Sequence, residues 1–403
     1  MSMELKDIAQ QLTTPKTVKK IVAEKTKEVE ETKPVPKVQL IYAFNGSGKT
    51  RLSREFKELI SPKAVSDDEE QPRTKVVYYN AFTEDLFYWD NDLEGDVERK
   101  LIIRPNAYTK WILEEQGEDQ NVITNFQRYA YDKLTPHFNA EYTGEGENNK
   151  EIKVKAFSEV TFSLESGDES SGNIKISKGE ESIFIWSIFY TLLDQVISVL
   201  NVLNPDERET NRFNELEYVF IDDPVTSLDE NHLIELAINL AELIKSSQSS
   251  LKFVVTTHNP LFYNVLYNEL NKKTCYILER FEDGAFALTE KMGDSNKSFS
   301  YHLYLKHTLE QAIAENQVQR YHFTLLRNLY EKSASFLGYS KWSELLPDDK
   351  QTYYNRIIQF TSHSTLSNEA VAQPSGPEKN TVALLLNHLV TNYGFWQQEE
   401  QNG

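Results

Sequence analysis

The stretch Ile41–Thr50, IYAFNGSGKT, leaves this chain little choice of local structure. An apolar run from Val38 to Phe44 breaks into Asn45, Gly46, Ser47 and Gly48. Lys49 and Thr50 follow, and then a polar amphipathic run with helical spacing. That predicts a strand, a phosphate-cradling loop and a helix. Small residues let successive backbone N–H groups turn inward onto phosphate oxygens, and the helix N-terminus adds partial positive charge. In such loops the lysine reaches the β- and γ-phosphates and the hydroxyl sits on Mg²⁺. Those roles fall on Lys49 and Thr50. The first glycine of G-x-x-x-x-G-K-[ST] is Ala43 here, while the NGSGKT core is intact. The bland alternative is a glycine turn followed by a chance lysine.

The chain around this loop reads as α/β. KVVYYNAF (75–82) and EVTFSLES (159–166) read as strands, and the interval from 83 to 150 as aromatic at first and loop-like later. From Ile176 a turn runs into a long apolar helix. LEYVFIDDP, from Leu216, and LKFVVTTHNP, from Leu251, are apolar runs of the kind that strands buried on both faces of a parallel sheet carry. Between them IELAINLAELIKSS, from Ile234, has helical spacing, and alternating strand and helix imply a parallel sheet. Residues 1–36 alternate in charge and end at Pro34 and Pro36, which predicts a solvated helix and a linker, or a docking segment. We expect a nucleotide-binding domain over 37–265 and a mainly helical domain over 266–403, joined through 291–306.

With 403 residues, 39% hydrophobic and 26% charged, the chain has enough apolar mass for two or three domains. A net charge of −19 argues against general polyanion binding, though not against a locally basic RNA site. Cys275 is the only cysteine, so internal disulfides and multi-cysteine metal sites are excluded, and a reducing compartment fits. No apolar run approaches membrane-spanning length in this reading and no signal-peptide core is visible, so a cytoplasmic protein with no membrane partner is expected.

Further motifs stand behind the phosphate loop in the order of an ABC-type ATPase. ISKGEE resembles that class's signature, with Ser177 and Gly179 at its key positions. The resemblance implies that Asp222 holds Mg²⁺ through water, together with Thr50. It places Asp223 where most such enzymes carry a catalytic glutamate, SLDE (227–230) at the loop crossing a dimer interface, and His258 at the γ-phosphate. The expected nucleotide set is Asn45, Gly46, Ser47, Gly48, Lys49, Thr50, Ser177, Gly179, Asp222, Asp223 and His258, binding ATP or GTP with Mg²⁺. A signature completes the site of another subunit, so at least a homodimer is implied. The interval from Lys49 to Ser177 leaves no room for a long coiled-coil arm. The shorter Asp223 predicts slow turnover, which suits a switch better than a motor.

In the second half, FTLLRNLYEKSASFLGY (323–339) has helical spacing and places Arg327 and Glu331 on one face at i and i+4. Taken alone, that is a surface ion pair. His363 ends a later helical run among Ser362, Ser364 and Thr365. Metal-free RNA cleavage needs a base for the 2′-OH, an acid for the 5′-oxygen and a cation for the charge on phosphorus. Glu331 and His363 can share the first two roles in either order, and Arg327 can supply the third. Arg356 and His363 also fit a loose Arg-x₄₋₆-His ribonuclease pattern, which makes Arg356 a second candidate cation in a helical bundle.

YAFNGSGKT, IDDPVTSLD, LLRNLYE, TSHSTLSNEA and GFWQQ, spread over the whole chain, together resemble the PrrC-type anticodon nuclease family. That resemblance implies an ABC-type P-loop ATPase head controlling a helical nuclease domain that cuts tRNA, lysine tRNA above all, in the anticodon loop. It implies a nuclease triad of Arg327, Glu331 and His363, with 2′,3′-cyclic phosphate and 5′-OH products. KMGDSNKSFSYHLYLK (291–306) resembles the family's anticodon-recognition segment, with Asp294 at the matching acidic position. Lys297, Lys291 and Lys306 offer cations for phosphates there, and Phe299 and Tyr301 offer stacking faces; otherwise the segment is a charged loop. A type I restriction–modification complex as silencing partner and a role in phage infection are likewise implied. Two other readings remain: a recombination-repair ATPase with a partner-binding helical tail, and a regulatory ATPase that docks a separate effector.

Overall fold

The computed structural model describes residues 3–21, 28–62, 74–91, 99–145, 151–166, 169–171, 173–224, 228, 230–271, 273–281, 283–291, 301–361 and 374–395. The chain divides into two compact units, Met1–Met292 and Gly293–Gly403.

The first unit opens with α1 (Leu5–Thr13), a hairpin of β1 (Lys16–Ile21) and β2 (Glu28–Lys33), β3 (Val38–Ala43) and α2 (Lys49–Ile60). Next come β4 (Val76–Tyr79), the short α3 (Ala81–Glu84), β5 (Phe87–Asp90) and β6 (Lys100–Ile103). A single turn α4 (Ala107–Thr109), α5 (Asp119–Tyr129), β7 (Leu134–Phe138), β8 (Tyr142–Glu145) and β9 (Glu151–Val154) follow. After β10 (Glu159–Ser166) and β11 (Glu169–Ser171) comes the long α6 (Lys178–Asn201). The unit ends with β12 (Tyr218–Asp222), α7 (Glu230–Ser246), β13 (Lys252–Thr257), α8 (Pro260–Glu269), β14 (Lys273–Arg280) and β15 (Phe286–Lys291).

Six strands form the central sheet in the order β15-β14-β3-β13-β12-β4. All run parallel except β15, which pairs antiparallel with β14. β3 and β12 are buried at every position, as continuous apolar runs must be when helices cover both faces. A second, antiparallel sheet has the order β11-β10-β6-β5, with β7 pairing on β10. α6 is buried along most of its length. The expected α/β class stands.

Four expectations change. The domain boundary moves from 265–266 to 292–293, because β14 pairs with β3 and carries β15 with it. The hairpin signal was Asp283–Gly284: Gly284 has φ 85° and its N–H donates to the Phe281 carbonyl. The N-terminal segment is not a solvated helix and linker. Leu5, Ile8, Ala9 and Leu12 of α1, at i, i+3, i+4 and i+7, are buried against Leu52 and Phe56 of α2 and Ile41 of β3. Buried Gln39 donates to the Leu12 carbonyl at 2.9 Å, and Met3 bridges Phe286 at the edge of β15. Among its described residues, the interval 83–150 carries regular structure, supplying β5, β6, α5 and β7 to the second sheet and its cover. Lastly, α6 is long and apolar enough to cross a membrane, but its apolar stretch is 78% buried inside the unit, as in a core helix.

The second unit is helical among its described residues: α9 (Tyr301–Ala314), α10 (Arg320–Leu337), α11 (Lys350–Thr361) and α12 (Gly376–Asn392), with a 3₁₀ turn at Trp342–Leu345. α10 is its hub, packing against α9, α11 and α12. Phe323, Leu326, Tyr330 and Ala334 face the core at helical spacing, and the Tyr330 hydroxyl donates to the Leu385 carbonyl at 2.8 Å.

The core role of α1 is testable. Ile8→Ala removes a fully buried side chain and should lower the stability of the N-terminal unit by about 2–5 kcal/mol in urea unfolding. A loose linker helix would lose at most about 0.5 kcal/mol.

Candidate functional site

Parallel strands all end at one edge, and an α/β fold binds ligands there. In this unit that edge gathers Ala43 and the phosphate loop after β3, Asp222 and Asp223 at β12, His258 after β13, Asn80 after β4 and Arg280 at the end of β14. β13 lies between β3 and β12, so His258 comes between the loop and the two aspartates.

Ala43 explains the departure in the loop pattern. It is still strand, paired opposite Leu278, and the left-handed turns fall later, on Gly46 (φ 79°) and Gly48 (φ 89°). Gly48 needs its missing side chain twice over. Its backbone is left-handed, and a Cβ there would sit 3.0 Å from the Phe286 ring and 3.5 Å from Leu5. Gly48 is also the N-cap of α2 and offers no side-chain cap, so the first-turn N–H groups of that helix keep their capacity for an anion.

The charged residues form one connected cluster. Thr50 Oγ1 donates to Asp222 Oδ2 at 2.6 Å, and Thr256 Oγ1 to Asp222 Oδ1 at 2.5 Å. Asp223 Oδ1 accepts from Thr257 Oγ1 at 3.0 Å and from the His258 backbone N–H at 2.9 Å. Its other oxygen meets His258 Nδ1 at 2.8 Å and Lys49 Nζ at 3.1 Å. Lys49, only 7% exposed, also donates to the carbonyls of Ala43 and Phe44. Asp223 sits at φ 45°, a left-handed backbone that aspartate tolerates better than most residues and that marks strain at a working site. Burial raises the Asp222 carboxyl above its ordinary value, with the threonine hydrogen bonds pulling back and the neighbouring Asp223 adding to the rise. Burial pushes Asp223 the same way, but His258 and Lys49 outweigh it and hold that carboxyl below the usual range. Two adjacent carboxylates are thereby set to different acidities.

Lys49, Thr50, Asp222, Asp223 and His258 are thus brought together, with Asn45, Gly46, Ser47 and Gly48 in the loop above them. Ser177 and Gly179 are not bonded into this cluster: Ser177 caps α6, its hydroxyl accepting from Glu180 N–H at 3.2 Å, and Gly179 lies in the first turn. Ser227 and Asp229 lie outside the described residues. Two residues were missed. Arg280 reaches the Gly46 carbonyl at 3.5 Å, and Asn80, buried, donates to Ser53 Oγ of α2 at 2.8 Å. The NAF turn after β4 and the Asp283–Gly284 hairpin were the available signals.

On α10, Arg327 Nε donates to Glu331 Oε1 at 2.7 Å, with the side chains 34% and 39% exposed. A half-exposed i,i+4 pair is worth only about 0.3–0.5 kcal/mol, so both groups can exchange partners for a substrate at little cost. Glu331 lines a cavity of about 490 Å³. Arg356 on α11 is held instead by Thr381 Oγ1 of α12 at 3.1 Å. Lys306 pairs with Glu310 at 2.7 Å. His363, Asp294, Lys297 and Phe299 lie outside the described residues.

No protein-family model matches the chain. Along its whole length, however, it is 66% identical to the anticodon nuclease of Escherichia coli, and it covers all of that protein. The chain belongs to the anticodon nuclease family. The family resemblance carried by the five sequence motifs therefore extends to the full chain. Similar solved structures include the Smc head bound to the C-winged helix domain of ScpA, at 12% identity and a TM-score of 0.31 over 70% of this chain and 98% of that one. The SMC head domain from Thermotoga maritima is 12% identical, with a TM-score of 0.27 over 64% of this chain and 91% of its own. Likeness this faint carries no argument about the chemistry.

Asp223→Ala strands Lys49 in a buried position without its carboxylate, and should lower the stability of the N-terminal unit by about 3 kcal/mol. Because the folded Asp223 carboxyl is depressed, its contribution is complete above the unfolded carboxylate value and is lost as pH falls through the folded one. The acid limb of a stability–pH curve should therefore flatten in Asp223→Asn.

Proposed function

We propose a division of labour in which the C-terminal unit cuts tRNA in the anticodon loop and the P-loop unit controls the cut through its bound nucleotide. Membership of the anticodon nuclease family makes the chain an endoribonuclease with tRNA as substrate. The observation that supports the rest is the Arg327–Glu331 pair. It stands on the hub helix of the C-terminal unit, and its glutamate opens onto a cavity.

Arg327 would leave Glu331 for the scissile phosphate and stabilise the charge that builds on phosphorus. Glu331 and His363 would then share proton removal from the 2′-OH and proton delivery to the 5′-oxygen, leaving 2′,3′-cyclic phosphate and 5′-OH ends. Asp294 and Lys297 would contact the anticodon, with lysine tRNA as the proposed target.

At the phosphate loop, Lys49 is held by Asp223 and two carbonyls. An incoming γ-phosphate competes for the same ammonium, so nucleotide binding would release Asp223, with the His258 bonded to it, from Lys49. Thr50 Oγ1 and Asp222 Oδ2, 2.6 Å apart, are the hard oxygen donors that Mg²⁺ takes beside phosphates, and the ion would neutralise phosphate charge there. With both Asp223 oxygens already engaged, hydrolysis would be slow and the nucleotide would act as a latch. ATP or GTP would serve. Ser177 and Gly179 would close the site of a second copy, so we propose at least a homodimer. Restraint by a type I restriction–modification complex, release during phage infection and a cytoplasmic location complete the reading.

Purified protein incubated with bulk tRNA and nucleotide should produce new 5′-OH ends in the anticodon loop. Glu331→Ala or His363→Ala should slow that cut by roughly 10²–10⁴-fold, the usual weight of general acid–base catalysis. Full cleavage by His363→Ala would sink the triad. Lys49→Ala should remove the response to nucleotide while leaving the protein folded; an unchanged response would mean that the phosphate loop does not gate the nuclease.

A further inference from the structure

The cavity beside Glu331 has a construction that the cleavage chemistry does not call for. It forms where α10 stops. Gly338 takes a left-handed backbone (φ 81°), its N–H returns to the Ala334 and Ser335 carbonyls, and Tyr339 N–H donates to Ala334 O at 2.9 Å. That reversal brings Tyr339, Lys341 and the 3₁₀ turn at Trp342 back alongside the last turns of α10. Tyr354 of α11 completes the wall.

Three features set the ligand class. The volume, about 490 Å³, falls within the roughly 300–1,000 Å³ of small-molecule sites, the size class of a flat heterocycle. Trp342 and Tyr354 stack on one another, ring centroids 5.1 Å apart and planes at 22°, and Trp342 also meets Tyr330 edge to face. Half-buried against the helical core, both still present surface to the cavity, and Tyr339 beside them is 42% exposed. Aromatic side chains that keep an accessible face are what unstacked bases of single-stranded RNA lie against. Around the rings stand the exposed cation Lys341 and the hydroxyl of Ser343, which can serve a phosphate and a base edge. Glu331 lines the same cavity, so anything held on these rings is next to the carboxylate assigned to the cut.

We infer that this cavity is a nucleobase pocket: it takes one unpaired base of the anticodon loop, flanking the scissile phosphate, onto the Trp342–Tyr354 platform. The inference rests on the assignment of the cleavage chemistry to Glu331. Holding one base out of the loop stack would turn the adjoining 2′-OH and phosphate toward Glu331 and Arg327. These aromatics are therefore positioning residues.

The test uses the full-length protein and an anticodon stem-loop RNA whose loop nucleotides are replaced one at a time by an abasic residue. With wild type, one position should raise KM by roughly 5- to 150-fold, the loss expected when a single base–aromatic stack is removed. Trp342→Leu and Tyr354→Leu keep apolar volume but remove the flat face. They should show that raised KM already on intact RNA, and the abasic substitution should then change it by no more than about twofold, because the two losses are one. Trp342→Phe, which keeps an aromatic face, should recover most of the affinity and separates stacking from folding. If no loop position is sensitive, or the leucine variants suffer the full abasic penalty on top of their own, the pocket does not hold a base. Binding of a 2′-deoxy loop, which lacks the attacking hydroxyl, gives the second arm with Glu331→Gln. If that variant still cuts at the wild-type rate but binding keeps its abasic penalty, the assignment of Glu331 fails and the pocket stands.

Discussion

A single carboxylate holds the P-loop edge together. Asp223, just past the end of β12, reaches Thr257 at the end of β13, His258 after it and the lysine after β3, and so links three strands through one side chain. The contact is possible because β13 is inserted between the other two and because Asp223 takes a left-handed backbone. It also solves an electrostatic problem. Lys49 is nearly buried, and a buried ammonium without a partner is costly. The loop in this structure is therefore closed on itself. Under the proposed function, a nucleotide phosphate would compete for a charge that already has a counter-ion, and that competition would be the physical content of the latch.

The second unit works by a different rule. Its hub helix spends one face on the core, at Phe323, Leu326, Tyr330 and Ala334, and carries Arg327 and Glu331 on the flank. The tight Tyr330–Leu385 bond and the loose Arg327–Glu331 pair belong to the same helix. Rigidity comes from the buried face and exchangeability from the half-exposed one. The proposed grip on a phosphate only when RNA is present would need both.

Much of this was legible in the residue order. The phosphate loop, the β12 and β13 runs, the α10 helix and the pairing of Arg327 with Glu331 are local patterns, set by periodicity within a few residues. The misreadings share a cause. Residues 1–36 look solvated because Lys and Glu crowd around Leu5, Ile8, Ala9 and Leu12, and their burial depends on α2 and β3 being there to receive them. The domain boundary at 265–266 left β14 and β15 out of the first unit, yet β14 pairs with β3, more than two hundred residues away in sequence, and holds β15 in the sheet.

From the chain alone came the α/β class, the phosphate-loop turn, a carboxylate pair at a strand end and the helix that pairs Arg327 with Glu331, since each rests on side chains that are neighbours in sequence. The fold alone decided that Asp223 holds Lys49 and His258 at once and that Phe286 and Leu5 seat Gly48. It also decided that Trp342 and Tyr354 meet beside Glu331. These are contacts between separate elements, and they follow from strand order and helix packing, which no local pattern encodes.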